Sequence, residues 1–220
     1  LIAHKKKAKL IGNIGKPMLS INTVSPSTIF VIEASSYQIE YSQYFKTDYA
    51  IILNIAPDHL ERHGNIKNYV RAKFKLITNQ DKNSYSYICR NNKHLEKEVS
   101  RRNFKSRLTK VKTLNFKKIK KNIYNPYFHN FNNIQNLSFI FELSKQLKLK
   151  NKFIYKSINS FKGLSYRQQI IKKNKNLTII NDSKSTSFSS SINLLKSYKN
   201  IFWIMGGLSK KNDKFELPKK

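Results

Sequence analysis

Short apolar runs alternate with amphipathic stretches along the chain, and that alternation predicts an α/β fold. Residues 28–35 (TIFVIEAS) and 49–56 (YAIILNIA) are β-branched and almost continuously apolar. Such runs suit strands covered on both faces of a parallel sheet. Residues 84–89 (SYSYIC) predict a third strand. Helical spacing appears at 66–77 (IKNYVRAKFKLI), 93–102 (KHLEKEVSRR) and 132–149 (NNIQNLSFIFELSKQLKL). Beyond SFKGL (160–164) the pattern changes. Residues 166–182 (YRQQIIKKNKNLTIIND) read as two strands around a polar turn, and 185–199 as a helix with a Ser/Thr-rich start. Residues 200–207 (NIFWIMGG) read as a strand ending on two glycines. A boundary near Gly163 divides the chain into domains at 1–162 and 163–220. The Lys/Asn-rich segments 103–125 and 172–176 are expected to be loops or exposed edges.

Composition narrows the class. A chain of 220 residues buries roughly 70% of its unfolded surface, so it needs no covalent staples. The single cysteine, Cys89, excludes an internal disulfide and fits a reducing, cytoplasmic setting. No apolar run approaches the roughly 20 residues that span a bilayer. The formal net charge is +31, which would attract phosphates. Lysine far outnumbers arginine, however, and Asn and Ile are abundant too, as A/T-rich codons would give. Nucleic-acid binders favour the bidentate arginine fork at contact points. A basic nucleic-acid-binding module without catalysis is therefore the weaker reading, and no specific nucleic-acid partner is expected.

Polar residues gather at the carboxyl ends of the predicted strands, where open parallel sheets bind their ligands. Glu33, Ser35, Ser36 and Gln38 end one strand; Asn54, Asp58 and His59 end the next. Asn181, Asp182, Ser183 and Lys184 end a third, and Gly206, Gly207 and Lys210 a fourth. His59-Leu60-Glu61-Arg62-His63 has the histidine spacing of a zinc helix. Its glutamate falls two residues after the first histidine instead of one, and Pro57 puts His59 in a turn or first helical turn, so a zinc hydrolase is the weaker reading. Magnesium, which prefers carboxylate and phosphate oxygens, suits the residues better. The stretch IGNIGKP (11–17) lacks the Gly-Lys-Ser/Thr of a phosphate loop and reads as a Gly-rich turn.

In order along the chain stand GNIGKP (12–17), EASSYQIE (33–40), LNIAPDHLERHG (53–64), YVRAKFKLI (69–77), HNFNNIQN (129–136), GLSYRQQ (163–169), NDSKSTS (181–187) and GGLSKKNDKFEL (206–217). Together they resemble the Mur ligases of peptidoglycan synthesis, on the D-glutamate-adding side of that family. The resemblance implies a central ATP-binding domain with a mostly parallel sheet flanked by helices, at 1–162. It implies the start of a Rossmann-like ligase domain at 163–220. The phosphate loop and an N-terminal domain would lie upstream of Leu1, and the rest of the last domain beyond Lys220.

The implied activity is ATP-dependent joining of D-glutamate to UDP-N-acetylmuramoyl-L-alanine through an acyl phosphate, in a monomeric enzyme using ATP and Mg²⁺. A sister Mur ligase or a folylpolyglutamate-synthase-like ligase is the alternative. By the same resemblance, Glu33 holds the Mg²⁺ shared with the ATP phosphates and His59 a second Mg²⁺. Lys73 matches a lysine carbamylated by CO₂, which would make it an oxygen ligand. Asn13, Ser35 and Gln38 match contacts to the UDP-sugar. Asn130 and Asn133 fall near the adenine, Arg167 near the phosphates and Asp182 at the ribose. Lys184 lies close to the reacting centre, and Thr186 and Lys210 match positions that hold the D-glutamate carboxylates. The sequence departs from the family pattern at Ser187 for asparagine, Tyr166 for histidine, Phe128 for a small residue and Tyr37 for phenylalanine.

Overall fold

The computed structural model of the chain describes residues 1–208 and 215. They form two compact units, Leu1–Leu114 with Ser138–Tyr155, and Asn115–Leu137 with the described residues from Lys156 on.

In the first unit, β1 (Ala8–Gly12) pairs in parallel with β2 (Ile29–Glu33), with Gly12 opposite Glu33. The helix α1 (Ser36–Tyr41) follows β2 directly. A second parallel sheet runs in the order β3 (Tyr49–Ile52), β4 (Tyr85–Cys89), β5 (Arg107–Val111). Between β3 and β4 lie α2 (Leu60–His63) and α3 (Ile66–Thr78); α4 (Lys93–Val99) lies between β4 and β5. Parallel strands require such helical crossovers.

The core follows the apolar pattern of these elements. Central strand β4 buries four of its five residues, as expected with a strand on each side and helices over the faces. Phe74 and Ile77 of α3, Ile88 of β4 and Leu95 of α4 are fully buried against one another's cluster. The polar groups beside β4 are paired: Ser86 donates to Gln80 and bonds Ser106, while Gln80 donates to the Thr47 carbonyl at 2.9 Å. That satisfaction is what permits them in the core. β2 departs from the expectation of a strand covered on both faces. Its residues are half-buried or exposed, and Val31 is 46% exposed, because its sheet has only two strands.

The second unit contains α5 (Phe116–Ile119), and α6 (Phe131–Gln146) begins in it. α7 (Asn151–Asn159) ends in it. Next come β6 (Gln169–Lys173) and β7 (Thr178–Asn181), an antiparallel pair around the turn at 174–177, and α8 (Phe188–Lys196). The hairpin and α8 fall where the sequence puts them. Two expectations need comment. Segment 103–125 holds the exposed edge expected of it, strand β5 carrying Arg107 and Lys110, but also a short helix, α5, that was not expected. Residues 201–208 form no strand: Phe202 and Ile204 are almost fully exposed, with no ladder partner among the described residues.

Candidate functional site

The first unit gathers its polar residues at the carboxyl ends of β2 and β3. Gly12 ends β1 at φ +104°, a conformation glycine adopts without strain. A Cβ there would lie 2.3 Å from the Glu33 carbonyl oxygen. The close approach lets the Asn13 backbone N–H donate to that carbonyl at 2.8 Å, and the Asn13 side-chain amide donate to Glu33 Oε1 at 3.1 Å. Asn13 therefore orients the Glu33 carboxylate. Two residues on, Ser35 caps α1 in a reciprocal box. Its hydroxyl accepts from the Gln38 N–H at 3.2 Å, and the Gln38 side chain accepts from the Ser35 N–H at 2.9 Å. Both side chains are thereby fixed at the mouth of the strand.

His59 lies beyond β3 at the N-cap of α2, with φ 55° and ψ 28°. Left-handed backbone is uncommon for a residue with a Cβ, although histidine is among the more tolerant. The Asp58 carboxylate compensates by accepting from the His59 backbone N–H at 3.0 Å. The His59 imidazole meets the Tyr37 hydroxyl at Nδ1, 2.9 Å away, while Nε2 lies 3.5 Å from Asp58 Oδ2. His63, one helical turn later, is buried. It bonds Ser36 Oγ through Nε2 at 3.0 Å, stacks on Tyr37 and packs against Tyr69. Of the two histidines, only His59 presents an accessible ring.

Lys73, on α3, sets its ammonium 5.2 Å from the Tyr69 ring centre. Burial pushes its pKa below the ordinary lysine value, and the carboxylates of Asp58 and Glu33 oppose that shift. Burial, then Asp58 and Tyr37, pushes the Tyr69 phenol up to about 12, so it stays neutral. Glu33, Asp58, His59 and Lys73 thus share one electrostatic neighbourhood. Among the described residues no three His, Cys, Asp or Glu side chains make a ready metal cage. Magnesium does not need one, since it usually takes one or two carboxylates and keeps several waters. The oxygen donors of Glu33 and Asp58 with the exposed His59 ring fit that ion, and they do not fit tetrahedral zinc.

In the second unit, Asp182 organises the turn after β7. Its Oδ1 accepts from the Gln168 N–H at 3.0 Å and its Oδ2 from the Ser185 hydroxyl at 2.7 Å. The Lys184 backbone N–H donates to the Tyr166 carbonyl, leaving the Lys184 side chain exposed, as are Arg167 and Thr186. Asn130 is the N-cap of α6: its oxygen accepts from the Asn133 N–H at 3.0 Å. Both amides, Asn130 at 3.1 Å and Asn133 at 2.7 Å, donate to the Tyr127 carbonyl. Their donors are committed to holding the loop, and Asn133 is buried. Burial raises the Tyr127 phenol, opposed by the Arg167 guanidinium, which tells of the proximity of those groups. Lys210 lies outside the described residues.

Tyr37 and Tyr69 are site residues to which the sequence motifs give no task, and His63, weighed there only as a zinc ligand, packs in the interior. The positive φ that singles out His59 has no sequence signal beyond Pro57 and the following Asp58.

Parallel strands with carboxylates and a histidine gathered at their carboxyl ends define an α/β protein whose polar cluster lies where open parallel sheets bind their ligands. Residues 5–150 match the Mur ligase middle domain, and the chain belongs to that family. It is 31% identical over 216 residues to the UDP-N-acetylmuramoylalanine--D-glutamate ligase of Rickettsia prowazekii, covering 90% of this chain and 48% of that protein. The namesake enzyme of Zymomonas mobilis is 30% identical over 202 residues, with 92% and 45% covered. The chain thus spans about half the length of these relatives. In fold it resembles the MurF ligase of Thermotoga maritima, solved in complex with ADP (TM-score 0.60, 13% identity, covering 89% of this chain and 59% of that one). No described helix is long and apolar enough to cross a membrane.

Proposed function

We propose that the chain provides the metal- and substrate-binding middle of an ATP-dependent amide-forming ligase. This ligase joins D-glutamate to UDP-N-acetylmuramoyl-L-alanine in peptidoglycan synthesis, and so serves cell-wall growth, cell shape and division in the cytoplasm. The observation that carries the reading is Lys73, desolvated yet set beside two carboxylates. A lowered pKa enlarges the fraction of free amine, the form that attacks CO₂. Its Nζ lone pair forms the new N–C bond, one proton leaves, and an anionic carbamate results. That change turns a lysine from a cation into an oxygen donor beside Glu33 and His59.

Magnesium, when bound, would neutralise the phosphate charge during phosphoryl transfer. The chain's own residues then have distinct tasks. Glu33, oriented by Asn13, and His59, held by Asp58 and Tyr37, would provide ligands for that ion together with Lys73. Ser35 and Gln38 face the UDP-sugar with Asn13. Asn130 and Asn133 shape the adenine loop through the Tyr127 carbonyl, and Arg167, Asp182 and Lys184 attend the nucleotide and the reacting carboxylate. Thr186 and Lys210 receive D-glutamate. The domain boundary belongs near Gly163, with 1–162 as the central domain and 163–220 opening a Rossmann-like one, in a monomer.

The test is phosphate release from ATP by the gene's complete product, with each substrate omitted in turn. Turnover needing both UDP-N-acetylmuramoyl-L-alanine and D-glutamate, lost in Lys73→Ala and restored by short-chain carboxylic acids, is the expected outcome. Equal turnover with a different amino acid would overturn the assignment of D-glutamate.

A further inference from the structure

We propose that the Tyr37 hydroxyl is a positioning group for His59, holding its Nδ1 edge so that Nε2 is presented as the metal-binding nitrogen. The inference rests on His59 being a ligand. It goes beyond that reading because the reading gives Tyr37 no task.

Three observations converge. First, the Tyr37 hydroxyl lies 2.9 Å from His59 Nδ1, a full hydrogen bond between side chains 22 residues apart. An imidazole that coordinates through one nitrogen carries its proton on the other, and a partner for that N–H fixes both tautomer and ring orientation. In the tautomer proposed, Tyr37 accepts from Nδ1–H, and the Nε2 lone pair lies on the edge nearest Asp58 Oδ2. Second, the Tyr37 ring is itself clamped. It stacks on His63 with ring centres 5.5 Å apart and planes within 21°. His63 is completely buried, bonds Ser36 Oγ and packs on Tyr69, with Glu40 Oε2 3.8 Å from its Nδ1. Helices α1, α2 and α3 each contribute to this clamp, so the hydroxyl's position is set by packing as well as by its own bond. Third, His59 keeps a left-handed backbone. Strain at a ligand position persists only where its surroundings over-determine it, and the Asp58 and Tyr37 bonds do so from the two ends of the residue.

A phenylalanine at 37 would keep the ring that stacks on His63 and remove the hydroxyl that bonds His59. Tyr37→Phe therefore separates positioning from folding. Mn²⁺ is the probe, because it shares the oxygen-and-water preference of Mg²⁺ and is read directly by electron paramagnetic resonance. Its affinity is measured for the 220-residue chain, Tyr37→Phe and His59→Ala. The imidazole ¹⁵N shifts of metal-free wild type and Tyr37→Phe are recorded at one fixed pH. Expected are weaker binding in both variants, roughly 10-fold for Tyr37→Phe as typical for an outer-shell partner, and a changed His59 Nδ1 shift with native circular dichroism. Weakening in His59→Ala with unchanged affinity and ring shifts in Tyr37→Phe overturns the positioning role and leaves the ligand reading standing. Unchanged binding in His59→Ala, or no Mn²⁺ binding by the wild type, overturns the ligand reading and with it the purpose of Tyr37.

Discussion

Replacing Gly12 by alanine tests the contact on which the Glu33 end of the site depends. The native φ of +104° is unfavourable for any residue with a Cβ, by about 1–2 kcal/mol taking the left-handed penalty as the guide. The new methyl would also lie 2.3 Å from the Glu33 carbonyl oxygen, whereas non-bonded heavy atoms settle roughly 3.5 Å apart. Backbone cannot swing aside as a flexible side chain would, so β1 and β2 must separate by about an ångström at this end. That movement loosens the 2.8 Å and 3.1 Å bonds from Asn13 to Glu33, each worth about 0.5–1.5 kcal/mol net. The total is about 3 kcal/mol, with the conformational part shared by any left-handed glycine. Gly64→Ala isolates that part, since Gly64 has φ +75° and nothing within 4 Å of its added Cβ. The assay is urea denaturation followed by far-ultraviolet circular dichroism. With a slope of about 1–3 kcal/mol per molar urea, Gly12→Ala should unfold roughly 1 M earlier than Gly64→Ala. Coincident midpoints for the two variants would refute the close approach of β1 to Glu33.

Three further outcomes follow from the same geometry. Lys73 has a lowered folded-state pKa, so below it both states hold the proton and the fold bears a disfavoured buried charge. As pH rises toward the unfolded value of 10.5, the folded state releases its proton first and stability climbs. In CO₂-free buffer, Lys73→Met should be the more stable protein at pH 7 by urea midpoint, with the gap to wild type closing by about pH 10.5; a gap independent of pH would count against a desolvated ammonium. Ser35→Ala removes the reciprocal cap of α1 and should cost about 1 kcal/mol by the same denaturation measurement, while Ser42→Ala, at the other end of that helix, leaves the cap intact. Phe74→Ala empties a fully buried position and should cost about 3–5 kcal/mol; a loss under about 1 kcal/mol would mean that α3 does not seal the core.

The sequence by itself determined the elements whose signal is local. The 3.6-residue periodicity of 66–77 and the β-branched runs at 28–35, 49–56 and 84–89 matched α3, β2, β3 and β4 to within a few residues. These segments carry their burial in their own spacing. The run at 200–207 carried the same kind of signal, yet residues 201–208 form no strand, because a strand exists only with a neighbour to complete its ladder. β5 shows the converse: weakly apolar itself, it is a strand because β4 offers it an edge. The motifs likewise named Glu33, His59 and Lys73 without saying what surrounds them. Only the tertiary structure decided that Asn13 orients Glu33, that Tyr37 and Asp58 hold His59, and that Lys73 is desolvated. It also decided that Asn130 spends its amide on a helix cap. These are relations between residues about 20 or more positions apart or choices between hydrogen-bond partners. Periodicity reports which face of an element is buried, and is silent on which groups meet across elements once it is.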